Sequence, residues 1–407
     1  MLAYESGPVA VPFRERLLQI VLYIAVLLSS VAFIEPSPHD GLMGVLAVAG
    51  LVAGIRFPRL LVLPFLLLML WNVAGLSAAL QVTGQEKVFQ YVATSFYLAI
   101  AALLFAMIFA DNTMARLATM RSAYILTATI VSIAGAIGYF RLFPAAEMFT
   151  LNGRAQGFFK DPNVYGPFLI LPALFLLERM LRVRIDVKTI CLTGVILFGE
   201  LLSFSRGSWF HFGVSISIVI ALSFVVAPTP KARARILSLT LAGAAALAVL
   251  LLVLLSIDSI GGMFKERAQL IQSYDVGQGG RFLLQEKALS AVLEFPNGMG
   301  PFEFARVYGL QQHNVYLQVF LVYGWTGALA YILLLIATVW VGFRCALQRS
   351  PWQGYSIAAL GAFVGEMAEG FIIDTDHWRH FFLILGIIWG LAAAARTSQR
   401  ANAVPAS

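Results

Sequence analysis

Long apolar runs, separated by short clusters of charged or turn-forming residues, recur from Leu17 to the C-terminus. A bilayer core of about 30 Å needs roughly 20 apolar residues in a helix. Nearly uncharged segments of that kind read at 17–34, 42–55, 60–80, 88–110, 122–140, 163–178, 189–204, 209–227, 236–257, 314–343, 354–373 and 380–395. The pattern predicts an all-α, polytopic membrane protein with about twelve transmembrane helices. The first run then belongs to a series and is not a lone signal peptide. The second segment is short for a crossing. The 314–343 run is about ten residues longer than a crossing needs, so its first turns should stand above the membrane or lie in its interface. One stretch, 258–312, is large enough to fold over the membrane surface. The expected organisation is a single membrane domain, 1–407, with 258–312 as a periplasmic loop between the ninth and tenth spans and no internal repeat.

Charge fixes the expected orientation. With a cytoplasmic N-terminus carrying Arg14 and Arg16, the inside loops carry Arg56 and Arg59, then Arg116 and Arg121. Arg179, Arg182, Arg184 and Lys188 follow, then Lys231, Arg233 and Arg235, then Arg344 and Arg349, and finally Arg396 and Arg400. The outside loops after the first and third spans hold no basic residue and one, Lys87. That asymmetry places both termini in the cytoplasm. Composition agrees, with 60% hydrophobic and 12% charged residues, where soluble domains carry about a quarter charged. The net charge of +7 sits in short loops, as topology determinants do, and so argues against nucleic-acid binding. Cys191 and Cys345 fall at loops assigned to the cytoplasm, which leaves no exported disulfide and no cysteine-based zinc site.

The outward basic residues concentrate at Arg141 to Lys160, at Arg206, in the 258–312 loop and at Arg379. A cation kept on the disfavoured side points to an anionic partner, although long loops tolerate charge. Four constellations follow. Asn152-Gly-Arg154-Ala-Gln-Gly157 leads through Lys160 to Asp161-Pro162-Asn163, where Asp161 suits an N-cap and Pro162 the first helical position. Free N–H groups beside Arg154 and Lys160 suit an anion; a capping loop whose cations meet lipid phosphates is the competing reading. Ser203-Phe-Ser205-Arg206-Gly207-Ser208-Trp209 is a short turn between two apolar spans. Its arginine either grips an anion or snorkels to headgroups beside Trp209. Gly277-Gln-Gly279-Gly280-Arg281 opens an amphipathic stretch, Phe282 to Phe295. There Arg281, Gln285, Ala288 and Val292 share one face, while Leu283, Leu284, Leu289 and Leu293 are available for burial against the membrane domain. Gln311-Gln312-His313-Asn314 then re-enters the membrane, and His313 is the side chain best suited to exchange a proton near neutral pH. Its competing reading is a capping or headgroup contact.

Glu366 and Glu369 share one helical face in the eleventh span, available to neutralise outward arginines or to orient His313. Asp374-Thr-Asp376-His377-Trp-Arg-His380 reads as a polar interfacial turn, since its spacing matches no metal motif.

The order of these pieces along the chain resembles the O-antigen ligase and polymerase superfamily of bacterial envelope glycosyltransferases. The resemblance rests on the Arg154 and Asp161-Pro162-Asn163 loop, on Ser205-Arg206-Gly207, and on an outward loop bounded by Gly280-Arg281 and His313-Asn314. It implies a metal-independent enzyme of the bacterial inner membrane, without cofactor, whose site faces the periplasm. The implied donor is a glycan on undecaprenyl diphosphate, transferred with inversion to a hydroxyl of lipid A-core or, in a polymerase, of the growing polysaccharide. Envelope polysaccharide assembly proteins are the further expected partners. Arg206 and Arg281 would hold the donor diphosphate with Arg154 beside them, and His313 would deprotonate or position the acceptor. Lys160, Asn314, Glu366 and Glu369 would support them. The moderate loop ending at His-Asn fits the ligase pattern better than the paired arginine-rich loops of many polymerases. A flippase or other secondary transporter shares the topology. It predicts mid-membrane charge, for which Glu366 and Glu369 stand, and broken helices, for which Pro167 and Pro172 stand.

Overall fold

The computed structural model describes residues 12–82, 86–267, 269 and 280–403. Among them, fifteen α-helices carry the fold. They are α1 (Phe13–Leu27), α2 (Pro38–Ala53), α3 (Val62–Ala79), α4 (Glu86–Phe109), α5 (Thr113–Tyr139), α6 (Pro162–Arg182), α7 (Val187–Leu202) and α8 (Arg206–Val225). There follow α9 (Pro230–Leu255), α10 (Asp258–Arg267), α11 (Arg281–Glu294), α12 (Glu303–Tyr308), α13 (Val315–Leu347), α14 (Gln353–Glu369) and α15 (Arg379–Ala403). A helix lies at each of the twelve expected apolar segments. Among the described residues, eight stretches are long and apolar enough to cross a membrane, so the chain is a multi-pass, all-α membrane protein. The helices at the other four segments, α1, α2, α7 and α14, run 15, 16, 16 and 17 residues.

The inner bundle brings α13 against α3, α14 against α8 and α15 against α4. In α15, Gly386 and Gly390 lie one helical turn apart. A Cβ on the first would stand 2.5 Å from the Cβ of Phe105, and one on the second 2.8 Å from the Ala106 carbonyl. Small residues at this spacing let two helix backbones approach where lipid offers no hydrophobic drive for association. Outside the bundle, α9 leaves its apolar side chains almost wholly exposed, as lipid contact permits.

Several expectations change. Arg116 and Arg121 lie within α5, which begins at Thr113. Arg116 can enter the helix, buried, because Glu15 meets it bidentately at 3.1 and 2.8 Å and the Ile108 carbonyl accepts a third hydrogen bond. Cys191 and Cys345 lie inside α7 and α13 instead of in loops. Pro167 and Pro172 do not break α6, which is one continuous element.

The break occurs in α13 instead. Its 33 residues are two helices joined at Gly324, where φ is 65° and ψ −177°. Residues 296–300 insert at the break. Trp325 N–H donates to the Pro296 carbonyl at 2.8 Å, and the Leu321 carbonyl accepts from Met299 and Gly300 at 2.6 and 3.1 Å. Backbone groups freed by the break thus keep partners, which an apolar surrounding requires. The excess length of the 314–343 run is thereby explained: its first nine residues form a separate helical piece.

Within the 258–312 stretch, Gly277 to Gly279 lie outside the described residues. α11 packs against that first piece of α13 through Leu284, Ala288, Ala291 and Val292, which meet Phe304 and Leu321. Leu289 and Leu293, expected to bury, are 57% and 68% exposed. The two alanines allow a close approach at the broken turn, and this choice of face turns Leu289 and Leu293 outward.

Candidate functional site

The site assembles at the ends of α6, α8, α11 and α13. Between α5 and α6 the chain makes a two-residue hairpin, β1 (Thr150–Leu151) paired with β2 (Arg154–Ala155). Asn152 and Gly153 turn it at φ 51° and 72°, the left-handed values that suit Asn-Gly. The hairpin aims Arg154 across the bundle. Its Nε donates to the Ser203 carbonyl at 2.8 Å and its Nη2 to Asn163 Oδ1 at 2.7 Å. Asp161 caps α6 by accepting from Asn163 N–H at 2.8 Å, with Pro162 at the first helical position, as expected. Ser205 caps α8 and also donates to Asn163 Oδ1 at 3.0 Å. Arg206 is therefore fixed at the first position of α8, where Nη1 donates to the Gln269 carbonyl at 2.8 Å.

On the facing side, Gly280 precedes α11 and Arg281 is its first residue. Asn314 caps α13, its Oδ1 accepting from Tyr316 and Leu317 N–H at 3.0 and 3.2 Å. Its own backbone N–H donates to Asp374 Oδ1 at 3.0 Å, and its side-chain amide donates to the Phe371 carbonyl at 3.1 Å. These four bonds hold His313, at φ 49°, on the cavity rim. His313 Nδ1 stands 3.8 Å from Asp374 Oδ2.

Arg154, Arg206, Arg281 and His313 line one cavity of about 910 Å³. Among the described residues, four arginines, counting Arg267, face it against two carboxyl groups, Asp161 and Glu369, and Trp209 and Phe264 stack at 5.3 Å on its apolar side. Burial, and then the charge of Arg281, hold the His313 imidazole below its ordinary range against the pull of Asp161. It is neutral at pH 7 and able to accept a proton. Burial pushes the Asp374 carboxyl up to about 7, with Asp376 adding to the rise. Burial opposes ionisation of Asp376 too, yet His377 and the hydroxyls of Tyr91 and Tyr323 hold it below its usual range.

The supporting residues divide. Asn314 and Glu369 line the cavity. Lys160 does not; it reaches away to Glu35 at 2.9 Å. Glu366 is fully buried outside the lining and faces His380 Nε2 at 3.5 Å. Neither glutamate adjoins His313; the carboxyl beside it belongs to Asp374, five residues past the end of α14. Glu369 Oε2 instead meets His211 Nδ1 at 2.9 Å, while His211 Nε2 lies 2.9 Å from the Ala362 carbonyl. A carbonyl only accepts, so Nε2 carries hydrogen and one proton is shared between Nδ1 and Glu369. Sequence reasoning passed over His211, Arg267 and the particular role of Asp374. A histidine five residues into an apolar helix after Arg206 was the available signal for the first.

A model of the O-antigen ligase family matches residues 191–332. The match takes in Arg206, Arg281, His313 and Asn314, while Arg154 and Asp161 precede it. Among curated proteins none matches the chain. The resemblance seen in the sequence is thus supported by an independent match over residues 191–332, which are similar to the O-antigen ligase family.

Proposed function

We propose that the protein is a glycosyltransferase of the inner membrane, moving a glycan from undecaprenyl diphosphate to an acceptor hydroxyl of lipid A-core on the periplasmic side. The observation that carries this reading is the convergence of Arg154, Arg206, Arg281 and His313 on one cavity, from four separate chain segments. Clustered arginines would also suit a flippase of the same lipid diphosphate, but a flippase has no need of a base such as His313 among them.

In the proposed reaction the donor diphosphate lies between Arg206 and Arg281, each at the first position of a helix whose free N–H groups add to the positive field. Negative charge grows on the diphosphate as its bond to the anomeric carbon breaks, and preorganised cations stabilise that charge most where it develops. The acceptor oxygen attacks the same carbon from the opposite face. His313 takes the hydroxyl proton as the new C–O bond forms, and Asp374, when ionised, stabilises the resulting imidazolium. Arg154, tied to Ser203 and Asn163, holds the end of α7 to the start of α6 and adds charge to the pocket wall. Trp209 and Phe264 give the lipid end of the donor an apolar surface.

Purified protein reconstituted with a polyprenyl-diphosphate glycan, alongside His313→Ala and Arg281→Ala, tests the reading. Glycan moved to lipid A-core is scored separately from glycan chain growth. Transfer to lipid A-core, reduced about 10²- to 10⁴-fold without the base, is expected. Chain growth alone would assign the polymerase branch, and lipid translocation with no transfer would overturn the enzyme.

A further inference from the structure

A second cavity, of about 690 Å³, differs from the first in charge. Its wall holds Lys87 and Arg379 against Glu35 and Asp40, two cations against two carboxyl groups, where the first sets four arginines against two. The Arg379 guanidinium is neutralised further by a bidentate contact with Asp40 at 3.0 and 2.9 Å. The second cavity therefore offers a diphosphate fewer cations than the first. Aromatic rings supply part of the remaining surface: the Tyr91 ring lies 4.0 Å from the His377 ring and 5.3 Å from that of Phe302, which has 38% of its surface exposed. Rings beside fixed carboxylates and an exposed amide, Gln90, match a sugar. Its C–H face packs on an aromatic plane while paired hydroxyls bond to carboxylates and guanidinium.

The two cavities have no lining residue in common, but one short segment of chain contributes to both. Phe371, Ile372 and Ile373 line the first, and His377 and Arg379, a few residues on, line the second. The turn between them is held rigid. Asp376 Oδ2 accepts from Tyr91 at 2.8 Å and from Tyr323 at 3.2 Å and lies 3.1 Å from His377 Nδ1, while Asp374 anchors Asn314. A second link runs from Tyr91 through Gln318 at 3.4 Å to Gln312 at 2.6 Å, the residue before His313.

We infer that this second cavity is a saccharide subsite for the acceptor, taking uncharged sugars beyond the one whose hydroxyl reacts at His313. The inference rests on the glycosyltransferase reading and assigns to it a place for the acceptor chain. It holds for a lipid A-core acceptor and for a growing polysaccharide alike, since both present several sugars behind the reacting one.

The test fills or strips the subsite without touching the arginines. Ala93→Trp projects an indole into the cavity and Gln90→Ala removes an amide from it; both positions are exposed on α4. Ile100→Trp, 59% exposed on the same helix and outside the lining, controls for folding and insertion. Transfer is measured from a polyprenyl-diphosphate glycan to full lipid A-core and to acceptors shortened one sugar at a time. The expected result is that wild type and Ile100→Trp prefer the longer acceptor. Ala93→Trp lowers that preference, as a ratio of kcat/KM values, by at least tenfold, and Gln90→Ala lowers it by less. An unchanged ratio in both variants overturns the subsite while leaving the glycosyltransferase standing. Saturation-transfer NMR of the purified protein with free core oligosaccharide supplies a readout without donor. Binding lost in Ala93→Trp supports the subsite even if wild type transfers nothing, and binding equal in both proteins argues against it.

Discussion

His313 occupies a left-handed backbone position, φ 49°, and is kept there by the residue after it. Asn314 bonds two free N–H groups of α13 while its own N–H and amide are held by Asp374 and Phe371. Asn314→Ala removes the cap, which is worth about 1 kcal/mol. It should lower the thermal midpoint slightly and the transfer rate more, because the imidazole loses its anchored neighbour; thermal unfolding in detergent beside turnover separates the two. The pH profile is a second expected outcome. A base must be neutral, so the rate falls as pH drops through the His313 pKa, which burial and Arg281 place below about 6.5. Arg281→Gln removes one of those causes and should move this limb to higher pH in the residual activity. A separate inflection near 7 belongs to Asp374 and should disappear in Asp374→Asn. His313 and the arginines were legible in the sequence because they were charged or titratable groups in short turns beside apolar runs. Asp374 was legible only as part of a polar turn, since its bond to Asn314, beside His313, crosses 60 residues of chain.

The break in α13 is what brings the rim of the cavity to the end of α11. Gly324 adopts φ 65° and ψ −177°, a region open to glycine alone. A Cβ there would stand 2.6 Å from the Asn297 carbonyl carbon and 2.9 Å from two backbone oxygens, atoms that cannot swing aside. Gly324→Ala should cost about 1–3 kcal/mol from backbone strain alone, with the collision added. It should appear as a lowered thermal midpoint and a loss of transfer together. Gly309→Ala, at φ 89° but with open space around its Cβ, is the comparison that carries strain without collision and should be milder. The excess length of the 314–343 run was readable from hydropathy; the position of the break was not. A glycine in an apolar stretch looks the same whether it allows close packing or a reversal of the chain. The partners that satisfy the freed backbone groups come from 296–300, which hydropathy alone cannot assign to that place. The face chosen by α11 was misjudged for a related reason. Leucines on either side of the helix were equally apolar, and only the docking partner selects between them.

The proposed orientation places both chain ends in the cytoplasm and the two cavities outside. With Cys191 and Cys345 replaced, an impermeant maleimide applied to spheroplasts should label Leu310→Cys and leave Val183→Cys unlabelled until the membrane is permeabilised; both positions are exposed. The reverse pattern would overturn the topology. Apolar runs long enough for a bilayer, and arginines biased to alternate loops, are properties of the chain alone. Water and lipid impose them segment by segment, so the sequence was sufficient for an all-α, multi-pass membrane protein. Which cations meet depends on how helices far apart in the chain pack. Arg154 reaches Ser203, α11 seats on the broken turn of α13, and Lys160 leaves the site for Glu35. The same packing puts Glu369 against His211 and gives the acceptor-sized cavity its neutral, aromatic wall. Hydrophobic burial is non-directional and can be read from composition and period. Polar partnerships are directional and short, so they exist only once the tertiary structure has brought both groups within hydrogen-bonding distance.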